Sequence, residues 1–292
     1  MKHIFLINRF SLKHRTDKMV EALKRVCKRR KLDFEIEINN DIYSTEDIIN
    51  KYKHAKHIIY AIGGDGILNR VMNAILKTKN TFSYIPYGSG NDFDRSAQEL
   101  FQSGINEVDL IKINNMYCMN VVCFGIDAEI ANKGTESNST VVPREDKYIA
   151  AIISHFIHFK PFKFKIKSGL DKEEGLYSTI TVCNGRYYGA GFHPNPHGFL
   201  DDGLMDAIVV DKMPKLQLIN YILKLKKGKH ESMLKVKNVK TSKMVIESPI
   251  PITANIDGEE LTDTRFELKI EKKALKVYYD KDLIDEVLKE VK

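Results

Sequence analysis

The chain has 292 residues, 43% of them hydrophobic and 29% charged. That is an ordinary balance for a globular protein, and the length is more than one core needs, so two domains are expected. No apolar run is long enough to span a bilayer, and the N-terminal one stops at Asn8, short of a secretory leader. A formal net charge of +7 points to an anionic partner, which composition alone leaves open among nucleic acid, nucleotide and an acidic membrane surface. Cys27, Cys118, Cys123 and Cys183 fall inside expected elements with no Cys-x-x-Cys pair. Reduced core thiols and a cytoplasmic location follow as expectations.

In chain order, Lys2 to Ile7 reads as a strand and Asn8 to Lys13 as the loop leaving it. A helix follows with Met19, Val20, Leu23, Val26 and Cys27 on one face. It ends in Lys28-Arg29-Arg30-Lys31, where cations suit a helix C-terminus, and this run reads as a solvated helix end. Phe34 to Ile38 alternates with period 2 and gives a second strand. Ser44 or Thr45 then caps a helix through Ile48, Ile49 and Tyr52. His57 to Ile62 is nearly continuous in apolar residues and reads as a buried strand.

Next comes Gly63-Gly64-Asp65-Gly66, followed by a helical face at Leu68, Val71, Met72, Ile75 and Leu76. Glycines at a strand-to-helix turn expose backbone N–H groups, and the helix N-terminus favours negative charge there. Asp65 would repel a phosphate unless a divalent cation lay between them. Taken alone, the stretch reads equally as a tight turn with a solvated aspartate.

The strand Phe82 to Pro86 leads into a second glycine turn, Tyr87-Gly88-Ser89-Gly90-Asn91-Asp92-Phe93-Asp94-Arg95. Two such turns one βα unit apart, each carrying an acid, point to a nucleotide site. Neither is a Walker loop or a complete dinucleotide fingerprint. Alternating strands and helices argue for a doubly wound parallel sheet, with ligands beyond the carboxyl ends of its strands. Asn8, Thr45 and Gly63–Gly66 lie at such ends.

From Tyr117 short strands succeed one another: Tyr117–Phe124, Phe162–Ile166, Tyr177–Cys183, Met205–Val210, Ser242–Glu247, Ile252–Ile256, Phe266–Ile270 and Leu275–Tyr279. This is the pattern of a β-sandwich or barrel, interrupted by a helix from about Tyr148 to Phe159. Lys215 to Lys229 is apolar around most of its circumference and ends in lysines, so it reads as a core helix or an interfacial one. Lys281 to Lys292 reads as an amphipathic helix. His193 and His197 flank Pro194 and Pro196 and support neither a metal site nor a triad.

Gly63-Gly64-Asp65-Gly66 with Asn73, followed by Ile85-Pro86-Tyr87-Gly88-Ser89-Gly90-Asn91-Asp92-Phe93, resembles the catalytic domain shared by diacylglycerol kinases, bacterial lipid kinases and sphingosine kinases. The resemblance continues through Val108-Asp109, Met119-Asn120-Val121, Gly125-Ile126-Asp127, Asn184-Gly185, Tyr188 to Gly191, Leu200 to Asp206 and Asp257-Gly258-Glu259. It implies an α/β nucleotide-binding domain over 1–112 and a β-sandwich lipid-substrate domain over 113–280, with the active site in the cleft between them. The helix of 281–292 would return to the first domain.

The activity so implied is ATP- and Mg²⁺-dependent phosphorylation of a lipid hydroxyl such as that of diacylglycerol. The nucleotide would be held by Asn8, Lys13, Thr45, Gly63, Gly64, Asp65, Gly66, Gly88, Ser89, Gly90, Asn91, Asp92 and Arg95. The metal would be held by Asp65, with Asp92, Asp109 and Asp201. Asp202, with Glu259 nearby, would take the proton from the acceptor. Four residues depart from the family pattern: Arg9 for proline, Leu12 for glycine, Ile67 for threonine and Arg70 for glutamate. They keep open a non-catalytic or weakly active regulatory member, beside an NAD-kinase-like enzyme acting on a soluble substrate. The expected partners are a lipid alcohol and, peripherally, an anionic membrane, with no nucleic acid; a homodimer is left open.

Overall fold

The computed structural model describes residues 1–12, 15–39, 45–134 and 159–291. Lys13, Ser44 and all but the last residue of the helix expected over 148–159 lie outside them. The chain divides into two units, residues 1–108 with 273–292, and residues 109–272.

The first unit is an α/β sheet domain. Its strands are β1 (His3–Asn8), β2 (Phe34–Asn39), β3 (Ile58–Gly63) and β4 (Thr81–Pro86). They pair in parallel in the order β2-β1-β3-β4. Beyond β4, Val277 near the end of β13 (Glu259–Tyr279) pairs in parallel with Phe82. A parallel sheet covered on both faces needs strands without a polar side, and Ile4, Phe5, Leu6 and Ile7 are all fully buried. Phe5, Ile7, Tyr60 and Ile62 face α2 (Thr16–Arg29) and the C-terminal helix α8 (Lys281–Val291). The helix α4 (Asp65–Ile75) packs on β3 and β4, with α3 (Thr45–Lys51) beside it.

Two sequence expectations change here. Arg9–Leu12 forms a helical turn, α1, rather than an open loop, and Leu12 is drawn into the core at 2% exposure. The cationic run ending α2 is exposed at Lys28, Arg29 and Lys31, as expected, but two of its members also bind the C-terminal helix region. Arg29 binds Glu286 and Glu290, and Arg30 binds Glu286 and Asp280, at 2.8 to 3.1 Å. Arg29 and Arg30 thus tie the end of α2 to α8 and the residue before it.

The second unit is rich in antiparallel strands. After β5 (Gly104–Ile113), which both units share, come β6 (Met116–Cys118), β7 (Val121–Gly125) and α6 (Ile126–Gly134). Then follow β8 (Phe162–Ser168), β9 (Asp171–Cys183), β10 (Met205–Asp211), α7 (Lys215–Leu225), β11 (Val236–Thr241) and β12 (Lys243–Ile256). The early half of β9 pairs with β8 and the late half with β7. The strand β12 does the same, pairing with β8 through Lys243's neighbours and with β7 near its end. These four strands therefore form a closed circuit, and Phe124, Phe164, Ile180, Ile246 and Phe266 share one apolar core.

The single strand expected over Tyr117–Phe124 is broken after Cys118. The expected pairs at 242–247 and 252–256, and at 266–270 and 275–279, are each fused into one strand, with an irregularity between Glu247 and Ile252. The strand β11 has no counterpart in the sequence reading. All four cysteines are free and buried. Burial pushes the Cys27 thiol up to about 12, as expected of an inert core thiol.

Candidate functional site

In the first unit the strand order reverses between β1 and β3, which lie side by side with β2 and β4 outside them. In an open α/β sheet that reversal opens a crevice at the carboxyl ends of the strands. Asn8 ends β1 and Gly63 ends β3 at that point. Thr45 starts α3, its hydroxyl accepting from Asn39 at the end of β2 (3.3 Å).

The two glycine turns follow β3 and β4 and are built as one object. Gly63 and Pro86 are register partners, and the Tyr87 N–H donates to the Gly63 carbonyl at 2.8 Å. A Cβ on Gly88 would lie 2.4 Å from the Gly64 Cα and 3.0 Å from the Gly64 nitrogen. Only glycine allows this approach, because the obstacle is backbone. Asn91 sits in the left-handed region at φ 52° and brackets the turn with its amide. Its Oδ1 accepts from the Gly88 N–H (2.9 Å), and its Nδ2 donates to the Gly88 carbonyl (3.2 Å).

The acid in the first turn serves the second. Asp65, the first residue of α4, accepts the Asp92 and Phe93 N–H groups at 3.2 Å each. It thereby caps α5 (Asp92–Leu100) from the neighbouring turn. Asp92 is 5% exposed and stands 3.8 Å from Arg95, whose Nε also donates to the Gly90 carbonyl (3.3 Å). Below them Asp94 is buried against the Tyr84 hydroxyl (3.1 Å) and the Gln98 amide (2.8 Å). Burial raises its pKa; the two hydrogen bonds oppose that, and Asp65 adds to it.

The acidic turn Asp201-Asp202-Gly203 belongs to the second unit. Asp202 accepts the Leu204 N–H at 3.0 Å through one oxygen and binds the Lys240 ammonium at 3.0 Å through the other. Asp109 anchors the turn, accepting the Gly203 N–H at 2.6 Å while its own N–H donates to the Leu200 carbonyl at 2.7 Å. Asn184 in turn holds the Asp109 and Met119 carbonyls, at 2.8 and 3.0 Å. Asp201 is exposed. Glu259 opens β13 directly after the two-residue turn Asp257-Gly258, whose φ values of 50° and 96° suit a tight hairpin.

Among the described residues no three His, Cys, Asp or Glu side chains gather as a metal site. Asp65, Asp92, Asp109 and Asp201 therefore form no protein-only cage. Asp65 and Asp92 belong to the first unit, and Asp109 and Asp201 to the second. Mg²⁺ commonly takes one or two carboxylates and completes its shell with phosphate oxygens and water, and Asp65 with Asp92 fits that description.

Several residues matter more than the sequence reading gave them. The Asp257 carboxylate collects the N–H groups of Met119 (2.7 Å), Asn120 (3.2 Å) and Val121 (2.8 Å), which is why the strand breaks there. Its position in an Asp-Gly turn was the only local signal. Asp127 is buried under the Thr181 hydroxyl (2.9 Å), and burial raises its pKa. Ile67, in place of a family threonine, is 5% exposed in the core, while Arg70 is exposed.

Residues 2–120 match the diacylglycerol kinase catalytic domain family, and residues 120–279 match the YegS C-terminal NAD kinase beta sandwich-like domain family. The chain thus joins a diacylglycerol kinase catalytic domain to a YegS-type C-terminal domain, and by the latter, which spans more than half of it, belongs to the YegS-type family. Among its relatives is the "Probable lipid kinase YegS-like" of Alcanivorax borkumensis, 26% identical over 251 residues and covering 81% of this chain and 82% of that protein. A protein of the same description from Shewanella frigidimarina is 24% identical, over 73% of each chain. The fold of this family member is that of a diacylglycerol kinase from Bacillus anthracis, with a TM-score of 0.70 at 19% identity, covering 97% of this chain and 98% of the other.

Proposed function

We propose that the protein transfers the γ-phosphoryl group of ATP, with Mg²⁺, to the hydroxyl of a membrane lipid alcohol such as diacylglycerol. The observation that carries the reading is the fusion of the two glycine turns through the Gly64–Gly88 contact and the Asp65 cap, at the reversal of strand order. A nucleotide needs backbone N–H donors approachable without side chains, at helix N-termini, with a carboxylate at hand for the metal. That combination is present here. The relatives named as lipid kinases support the choice of acceptor.

Phosphoryl transfer is mostly positioning and charge neutralisation. Gly63–Gly66 and Gly88–Asn91 cradle the phosphates, and Asn8 and Thr45 lie at the same carboxyl ends for the rest of the nucleotide. Asp65 and Asp92 would hold Mg²⁺, which would offset the charge on the transferring group. Asp202 takes the proton of the acceptor hydroxyl. Its contacts with Lys240 and the Leu204 N–H fix its orientation, a requirement for a general base.

The test offers labelled ATP and Mg²⁺ to the protein with a panel of lipid alcohols in vesicles, beside soluble NAD. Label passing to a lipid supports the reading. Label passing only to NAD would make this an NAD-kinase-like enzyme, and label passing to nothing would favour a regulatory member.

A further inference from the structure

The helix α7 is apolar on two opposite faces. Leu218, Tyr221, Ile222 and Leu225 are buried in the second unit's smaller core. On the other side Leu216, Ile219 and Leu223 are exposed, at 82%, 37% and 58%. They lie three and four residues apart and so form one stripe along the helix. The described residues leave much of that stripe uncovered.

The charge around the stripe is one-sided. From Lys212 to Lys229 the chain carries six lysines and no acid; Asp211 and Glu231 bound the interval. Lys226, Lys227 and Lys229 are exposed at the C-terminal end of the helix. Among the described residues neither they nor Lys224 make an ion pair, although lysines elsewhere in the chain do so repeatedly. Beyond them the 3-10 turn His230–Ser232 packs against α7, and Leu234, two residues further on, is fully exposed. With 11 residues α7 is far too short to cross a bilayer, and no helix among the described residues is long and apolar enough to do so.

We propose that α7 is the surface by which this protein docks on an anionic bilayer. The helix lies in the plane of the headgroups, with Leu216, Ile219 and Leu223 in the acyl boundary and the lysine cluster among the lipid phosphates. An apolar stripe edged by unpaired cations fits such a surface better than it fits a protein partner, which would have to supply acids against the lysines and apolar area against the leucines at once. The inference rests on the lipid-kinase reading for its purpose, since an acceptor embedded in a membrane has to be met there.

The experiment is cosedimentation of the full chain with vesicles of phosphatidylcholine, with and without phosphatidylglycerol, at low and high salt. The wild type should bind only the vesicles containing phosphatidylglycerol, and less tightly as salt rises. The double variant Leu216→Gln/Leu223→Gln should bind at least about ten-fold less tightly, the scale for losing two apolar side chains from the interface. A second variant, Lys224→Gln/Lys226→Gln/Lys227→Gln/Lys229→Gln, should lose about five-fold for each lysine near the headgroups. None of these side chains is buried, on the helix or in the turn after it, so unchanged melting should accompany the loss. No binding by the wild type, or equal binding by both variants, overturns the proposal. So would a wild-type dimer that the leucine variant splits without any change in vesicle binding, since the stripe would then be an interface between two copies. Vesicle binding through α7 by a protein that phosphorylates no lipid would count for the surface and against the kinase reading.

Discussion

The Asp65 carboxylate accepts the Phe93 backbone N–H at 3.2 Å, so the acid of the first glycine turn holds the start of the helix after the second. Its other oxygen takes the Asp92 N–H, also at 3.2 Å. One side chain thus couples the geometry of both turns. Any change at Asp65 acts on the fold and on the proposed chemistry together.

Asp65→Asn separates the two effects only in part. The amide keeps one acceptor and turns an NH₂ towards the other backbone N–H, so stability should fall by about 1–2 kcal/mol. Loss of the charge should lower kcat by about two or more powers of ten, the scale for losing an electrostatic contact to the transition state. Calorimetry and initial rates check both. Undiminished turnover would remove Asp65 from the mechanism, and an unchanged Tm would contradict its role as a cap.

Gly88→Ala should be among the most damaging single methyl additions in the chain. Its Cβ would meet the Gly64 Cα at 2.4 Å, and neither backbone can swing aside as a side chain would. A loss of about 2–4 kcal/mol is expected for such overpacking, with weakened ATP binding. Gly175→Ala is the control, since the nearest atom there is 3.4 Å away on the Tyr177 ring. Equal melting temperatures for the two variants would contradict the contact.

The docking of α8 should depend on acid and salt. Hydrogen bonds from Arg30 and then Arg29 hold the Glu286 carboxyl down to about 2, against an ordinary value of 4.5. A depressed carboxylate stabilises the fold above its unfolded pKa, and that contribution is lost as pH falls towards the folded value. Glu286→Gln should therefore lower Tm at neutral pH. The difference from wild type should shrink between pH 4.5 and about 2, and in concentrated salt. A difference constant through that window would mean the pairing adds nothing.

His230 gives a second pH signature, in the other unit. Both its ring nitrogens are buried, and among the described residues neither makes a hydrogen bond of good geometry, the Pro194 carbonyl being the polar group that comes nearest to one. Burial lowers its pKa to about 4, with the Pro194 carbonyl opposing. A depressed histidine favours the fold while neutral, so stability should decline as pH falls from 6.5 to about 4. The loss should reach about 3 kcal/mol at the lower end. His230→Phe should remove most of that decline. Parallel pH–stability curves for wild type and variant would show that His230 protonates freely in the fold.

The strand–glycine–helix units of the first unit were legible because each is local. A buried strand, a bare turn and a helical face follow one another within about twenty residues. What the residues around Asp65 do was not legible, since its partners lie 27 and 28 positions away. The pairing of Arg29 and Arg30 with Glu286 spans more than 250 residues, and a cationic helix end has an adequate local explanation that hides it. In the second unit the strand content could be read, but joins and breaks could not. Whether Lys243–Ile256 is one strand depends on its two partners, β8 and β7, and the break after Cys118 depends on Asp257.

The central claim is that the paired glycine turns serve phosphoryl transfer to a lipid alcohol. The most direct measurement is the transfer of γ-labelled phosphate from ATP to diacylglycerol in anionic vesicles, by the wild type, Asp202→Asn and Asp201→Asn. The account predicts labelled phospholipid that requires Mg²⁺. Asp202→Asn should lower kcat strongly with ATP affinity nearly unchanged, because the lost interaction forms only in the transition state, and Asp201→Asn should do much less. Labelled lipid formed equally well by Asp202→Asn, or no labelled lipid from any alcohol while ATP still binds, would contradict it.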